Sequence, residues 1–179
     1  MEIQRNFYLD KLIKRKNNGW VKVITGIRRC GKSYLLNTIF YHHLVESGVP
    51  KDHIIRFAFD SADDLYLIGE NLIELEKKNR KADPEKFMAY IRSKTVDSDI
   101  YYLLIDEVQM LDCFEIVLNG YLRKENMDVY VTGSNAKFLS SGLKLILSAI
   151  PVQTDIISSR HIQFPMTENE SRKSVHLGK

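Results

Sequence analysis

Gly26-Ile27-Arg28-Arg29-Cys30-Gly31-Lys32-Ser33 satisfies the spacing G-x-x-x-x-G-K-[ST] in full, and its flanks restrict the fold more than any other part of the chain. Ahead of it, Val21-Lys22-Val23-Ile24-Thr25 predicts a short buried strand. Behind it, Leu35, Leu36, Ile39, Phe40 and Leu44 recur at helical spacing from Lys32 onward. A strand, a glycine-bounded loop and a helix in that order open a βαβ unit, whose crossover requires a parallel partner strand.

The residue types in the loop suit a bound phosphate. Lacking Cβ atoms, Gly26 and Gly31 are expected to take positive φ and turn successive N–H groups inward as an anion nest. A helix starting near Lys32 adds the partial positive charge of its macrodipole. Lys32 is expected to reach the β- and γ-phosphates, and the Ser33 hydroxyl to ligate Mg²⁺. Arg28 and Arg29 either add field to the same place or, for one of them, face solvent, and Cys30 fits as a small residue within the loop.

Further along, the pattern alternates. Asn6 to Lys16 predicts a leading amphipathic helix ended by Asn17-Asn18-Gly19, and Ser47-Gly48-Val49-Pro50 stops the helix after the loop. Ile54 to Phe59 predicts a second strand, and Leu65 to Lys81 a mixed helix that is acidic early and basic late. Asp83 is the expected N-cap, and Pro84 the first residue, of a helix to Lys94. Ile100 to Ile105 is nearly continuously apolar, as in a central parallel strand covered on both faces. Asp112-Cys113-Phe114-Glu115 resembles a capping box opening a helix to about Lys124, and Val129 to Thr132 predicts a fourth strand. Strands alternating with helices imply an α/β fold with a mainly parallel sheet between two helical layers, and ligands bind at the carboxyl ends of such strands.

At 179 residues, 44% hydrophobic and 27% charged, the chain has the size and composition of one globular α/β domain. We assign residues 1–164 to that domain and 165–179 to a polar tail expected to fray. A net charge of +3 does not argue for nucleic acid, and the basic residues at 11–16 read as a solvated face. Two cysteines, Cys30 and Cys113, are too few for a disulfide framework and too far apart for a metal knuckle. They fit a reducing cytoplasm. Neither a secretion signal nor a membrane-length apolar run is present in the sequence. His42 and His43 have no partner at metal-ligand spacing, and Trp20 reads as an edge of the core rather than an adenine platform.

Directly after the apolar third strand stand Asp106 and Glu107. An apolar strand ending in Asp-Glu is the Walker B pattern. Asp106 is expected to hold the magnesium shell and Glu107 to orient and polarise the attacking water. With the loop and Tyr130-Val131-Thr132-Gly133-Ser134-Asn135, the segment Leu104-Ile105-Asp106-Glu107-Val108-Gln109 resembles the AAA-type branch of P-loop ATPases. More narrowly, it resembles a group of prokaryotic predicted ATPases that continue into a C-terminal domain of unknown function. The resemblance spans about Ile3 to Leu139.

It implies a three-layer αβα P-loop NTPase with strand order 5-1-4-3-2, ATP and Mg²⁺ as ligands, and a polar sensor residue after strand four. Thr132, Ser134 and Asn135 compete for the sensor role. The implied site comprises Glu107 and Lys32 as catalytic residues, and Ser33 and Asp106 at the metal. Gly26, Ile27, Arg28, Arg29, Cys30, Gly31, Lys32, Ser33, Tyr34 and Asn135 complete it at the nucleotide. Members of that group are expected to run beyond residue 179. Here Ser140 to Gln153 reads as an apolar helix broken at Pro151, followed by Arg160, a candidate transition-state arginine for a neighbouring site, and a candidate strand His161 to Phe164. A truncated copy of a longer protein is one expectation. The functions to separate are a Mg²⁺-dependent ATPase working as a conformational switch, with copies of itself or a protein partner, a non-catalytic nucleotide-binding module, and a nucleic-acid-dependent ATPase.

Overall fold

The computed structural model describes residues 3–26, 29–134 and 155–158. Five parallel strands form one sheet: β1 (Lys22–Gly26), β2 (Ile54–Ala58), β3 (Tyr101–Asp106), β4 (Met127–Ser134) and β5 (Asp155–Ser158), in the order β2-β3-β4-β1-β5. Read from the other edge this is 5-1-4-3-2, the order the resemblance implies. The fifth strand stands at Asp155–Ser158, where it pairs with β1 from Lys22↔Asp155 to Thr25↔Ser158. Residues 161–164 lie outside the described residues, as do Arg160, the expected helix at 140–153 and the tail.

Strand side chains alternate between two cores, as the two-residue period of a pleated strand demands. Val23, Ile55, Phe57, Leu103, Ile105, Val129 and Val131 point to one face. There they meet α4 (Ala62–Leu67), α5 (Leu72–Lys77), α6 (Pro84–Lys94) and α7 (Phe114–Leu122) through Leu65, Leu75, Phe87, Ile91, Val117 and Leu118. Ile24, Ile54, Tyr102, Leu104 and Tyr130 point to the other face. That face is covered by Leu12 of α1 (Ile3–Ile13) and by Leu35, Leu36, Phe40 and Leu44 of the helix behind the glycine loop. Both faces of the sheet are therefore dry, which explains the unbroken apolar run in β3.

The helix behind the loop changes pitch. It starts as α2 (Lys32–Tyr34), passes through a π-helical stretch at Leu35–Phe40 and finishes as α3 (Tyr41–Glu46). Gly48 (φ 88°) ends it, with Gly48 N–H on the Val45 carbonyl and Val49 N–H on that of Leu44, a Schellman closure.

Local chemistry corrects two expectations. The single helix expected over residues 65–81 is two helices, because Gly69 (φ 69°) closes α4 and Asn71 accepts from the Ile73 and Glu74 N–H groups to open α5. The capping box at Asp112 is not formed. Cys113 precedes α7 at φ 45° without a side-chain cap, while the Asp112 N–H is drawn to the Ala82 carbonyl at 3.0 Å. Asp83 and Pro84 open α6 as expected. Cys30 and Cys113 are both free thiols. Among the described residues, no helix is long and apolar enough to cross a membrane.

Candidate functional site

Gly26, Asp106 and Ser134 end β1, β3 and β4 on one edge of the sheet. Of the expected phosphate contacts, Ile27, Arg28 and Asn135 lie outside the described residues. The turn into α2 carries its left-handed residues at Arg29 (φ 65°) and Gly31 (φ 86°, ψ 21°). Gly26 does not take the expected positive φ. It is the buried last residue of β1, in register with Ser134.

The Gly31 carbonyl accepts the Leu35 N–H at 2.9 Å, so helical structure begins at Lys32 without an intervening turn. Lys32 is 5% exposed, and its Nζ donates to the Gly26 carbonyl at 3.3 Å. Cys30 is buried inside the loop, whereas Arg29, Ser33 and Tyr34 are exposed. A lysine ammonium, an exposed hydroxyl and a left-handed glycine at a helix start are groups that could receive an anion, with no carboxylate in the loop to oppose it.

β3 delivers the acids. Asp106 is 4% exposed and sits between neighbouring strands, in register with Ala58 of β2 and one step beyond the Ile105↔Val131 pair of β4. Thr132, fully buried on β4, donates its hydroxyl hydrogen to Asp106 Oδ1 and accepts the Glu107 N–H at 3.1 Å. One hydroxyl thus fixes the side chain of the first acid and the backbone of the second. Glu107 itself is left-handed (φ 50°, ψ 46°), an uncommon conformation for a residue with a Cβ. Of the three residues competing as sensor, Thr132 touches both acids; Ser134 ends β4, and Asn135 is not described.

The geometry also gathers residues that sequence reasoning left out. Asn37, on the π-helical stretch, donates its Nδ2 hydrogen to Asp106 Oδ2 at 3.4 Å, and Gln109 donates its Nε2 hydrogen to Glu107 Oε2. Asp60, just past β2, is held above the usual carboxylate range by partial burial and then by the negative charges of Asp106, Glu107 and Asp64. Neither amide carried a signal of its own, since Asn37 stands beside Thr38 and Gln109 is one more polar residue after Asp106 and Glu107.

This corner suits a hard dication. Its donors are carboxylate and hydroxyl oxygens, the set Mg²⁺ prefers, and their mutual repulsion at Asp60 is the kind a cation relieves. Ser33 and Asp106 are the residues that would hold it.

The sequence profile of a family described as an AAA domain matches residues 18–156. An uncharacterized protein of Haemophilus influenzae is 30% identical over 173 residues, covering 96% of this chain and 40% of that protein. An uncharacterized protein of Methanocaldococcus jannaschii is 26% identical over 163 residues, covering 89% and 30%. The chain therefore spans less than half the length of these curated relatives. Among solved structures, Drosophila ORC bound to AT-rich DNA and Cdc6 superposes with a TM-score of 0.54 at 14% identity, over 92% of this chain and 57% of that one. The Saccharomyces cerevisiae Hsp104:casein complex superposes at 0.50 and 16% identity, over 87% and 26%. At such identities the likeness is one of fold.

Proposed function

The chain belongs to the AAA domain family of P-loop ATPases, and from that premise we propose that it binds ATP with Mg²⁺ at the edge formed by β1, β3 and β4, hydrolyses it, and uses the reaction to switch conformation. The observation that carries the reading is the Thr132 hydroxyl, which, from the strand lying between β3 and the strand that leads into Lys32, locks Asp106 and Glu107 together.

The backbone around Gly31 and the start of α2 cradle the phosphates. Lys32 exchanges the Gly26 carbonyl for phosphate oxygens, a switch from a neutral to a charge-assisted partner. Ser33 and Asp106 would hold Mg²⁺, which would neutralise charge on the phosphates. Glu107 orients a water towards the γ-phosphorus and takes its proton as the bond to the ADP oxygen breaks. Thr132, in contact with both acids, is placed to transmit a change at either of them along β4. In this reading the conformational output goes to further copies of the chain or to a protein partner.

Binding of a fluorescent ATP analogue and phosphate release test the proposal. Lys32→Ala should abolish binding, and Glu107→Gln should bind as the parent does while turnover stops. Lys32→Ala binding as tightly as the parent would refute the phosphate-loop assignment. Equal phosphate release by the parent and Glu107→Gln, both at background, would favour a non-catalytic nucleotide module. Specific activity that rises with protein concentration would show active sites shared between copies. Salt-sensitive stimulation by DNA is the result that would bring nucleic acid in.

A further inference from the structure

Two side-chain amides outside the glycine loop and the Asp-Glu pair face the two acids one to one. Asn37 aims its NH₂ group at Asp106, and Gln109 aims its NH₂ group at Glu107. The pairing fixes which way each amide is turned, because the flipped orientation would set a carbonyl oxygen against a carboxylate oxygen. In that orientation both carbonyl oxygens, Asn37 Oδ1 and Gln109 Oε1, are buried and have no hydrogen-bond partner among the described residues. Buried carbonyl oxygens of this kind are uncommon and call for an explanation.

The backbone beneath each amide is also unusual. Asn37 stands in the π-helical stretch, a widened turn that recurs at functional sites. Its own carbonyl accepts from Arg56 of β2 at 3.4 Å, which ties the stretch to the strand beside β3. Gln109 is 7% exposed and lies in the short 3₁₀ turn Val108–Met110 that follows the left-handed Glu107. The Met110 N–H on the Glu107 carbonyl at 3.0 Å closes that turn and brings Gln109 back over the acid.

Building on the Mg²⁺-ATP reading above, we propose that Asn37 and Gln109 are positioning residues: Asn37 sets the metal-holding carboxylate of Asp106, Gln109 sets the water-orienting carboxylate of Glu107, and their spare carbonyl oxygens accept hydrogen bonds from water that becomes ordered when nucleotide and Mg²⁺ bind. Neither residue touches the reacting atoms. Each acts through one acid, so the two affect different constants. Loss of Asn37 weakens the dependence on metal, and loss of Gln109 weakens the step that uses the aimed water.

Asn37→Leu and Gln109→Leu, each compared with the parent chain, separate the two roles. Binding of the fluorescent ATP analogue is titrated with Mg²⁺, and affinity for ADP–aluminium fluoride, a mimic of the transferring phosphoryl group, is compared with affinity for ADP. Asn37→Leu should raise the Mg²⁺ concentration for half-maximal binding about tenfold and leave metal-free binding unchanged. Gln109→Leu should leave the Mg²⁺ titration unchanged and lower the preference for ADP–aluminium fluoride over ADP about tenfold or more, with turnover falling in parallel. These sizes correspond to one charge-assisted hydrogen bond. Gln109→Asn and Asn37→Gln, which keep the amide at a different reach, should recover part of each loss.

If the two variants move both readouts together, or move melting temperature and ADP affinity instead, the residues are structural and the proposal fails while the ATP reading stands. Unchanged constants in both variants would have the same meaning. A parent chain that binds no nucleotide overturns the ATP reading itself, and one that binds ADP but shows no preference for ADP–aluminium fluoride and no turnover overturns the Gln109 assignment.

Discussion

Replacing Asp128 with Ala should destabilise the domain without touching its nucleotide site. Asp128 is 3% exposed and forms an ion pair with Lys22, which is 0% exposed. The same carboxylate accepts the Asn17 N–H and the Tyr130 hydroxyl, each at 2.9 Å. Burial and the Asp128 charge push the Tyr130 phenol far above its ordinary pKa, so it stays a donor. The Lys22 ammonium also lies 5.1 Å from the Tyr130 ring centre. Truncation to Ala therefore removes the counter-charge of a fully buried ammonium and the acceptor of two further donors. Breaking a buried pair on one side costs about 3–5 kcal/mol, against a total stability of about 5–15 kcal/mol for an ordinary domain. At roughly 2–4 °C per kcal/mol for a chain of this size, the melting temperature should fall by about 6–20 °C. Asp128→Asn combined with Lys22→Met removes both charges but keeps an acceptor, and should recover most of the loss. Urea denaturation followed by circular dichroism gives the free energies. Lys22 begins the strand that Gly26 ends, roughly 13 Å away at the usual rise of a strand, so nucleotide affinity measured well below the transition should be unchanged. A cost for Asp128→Ala below about 1 kcal/mol, the value of an exposed pair, would refute the reasoning. So would a double variant as unstable as the single one.

Two glycines should respond with opposite sign. Gly120 lies within α7 with nothing within 4 Å of an added Cβ, so Gly120→Ala should stabilise by about 0.4–1 kcal/mol. Gly48 has equal room but sits at φ 88°, so Gly48→Ala should cost about 1–2 kcal/mol; thermal melts of both check the signs. His53 has its pKa raised chiefly by the hydrogen bond it donates to Asp52, with Asp97 on the other ring nitrogen. Its contribution is complete below the unfolded pKa of about 6.5 and is lost as pH rises through the higher folded value. The stability gap between parent and His53→Gln should therefore narrow from acid to alkaline pH in denaturation curves, and a constant gap would refute the assignment. Thr132→Val removes the hydroxyl that links Asp106 and Glu107, and should lower turnover about 10–100-fold with ATP affinity within about threefold, measured by phosphate release and analogue binding.

Much of this arrangement was legible from local pattern. Alternation along β1 to β4 follows from strand pleat, and Asp83-Pro84 announced α6 because capping chemistry is written in adjacent residues. The turn from β1 into α2 and the Asp-Glu pair at the end of β3 were readable because each is written in adjacent residues. Features decided by distant partners were not. The strand at Asp155-Ile156-Ile157-Ser158 went unread because so short a segment declares itself only through its pairing partner, β1. The box at Asp112 was overridden when the Ala82 backbone drew that segment into a bridge. Glycine in the loop pattern suggested a left-handed Gly26, but that residue finishes β1 in strand register with Ser134, and its carbonyl accepts from Lys32. Asn37 and Gln109 became meaningful only once the fold had set each against a carboxylate.

The position of β1 has a consequence for how the protein is made. The strand that leads into the glycine-bounded loop leaves the ribosome before β2 and β3, yet the strands it hydrogen-bonds are β4 and β5, which follow them. At roughly 5–20 residues per second of synthesis, β1 waits on the order of 5–20 s for β4. Throughout that interval Val23 and Ile24 have no sheet to enter, and the loop has no rigid strand behind it. Nascent chains stalled before Met127 should therefore bind chaperones and not nucleotide, and nucleotide capture should appear abruptly once β4 has cleared the exit tunnel.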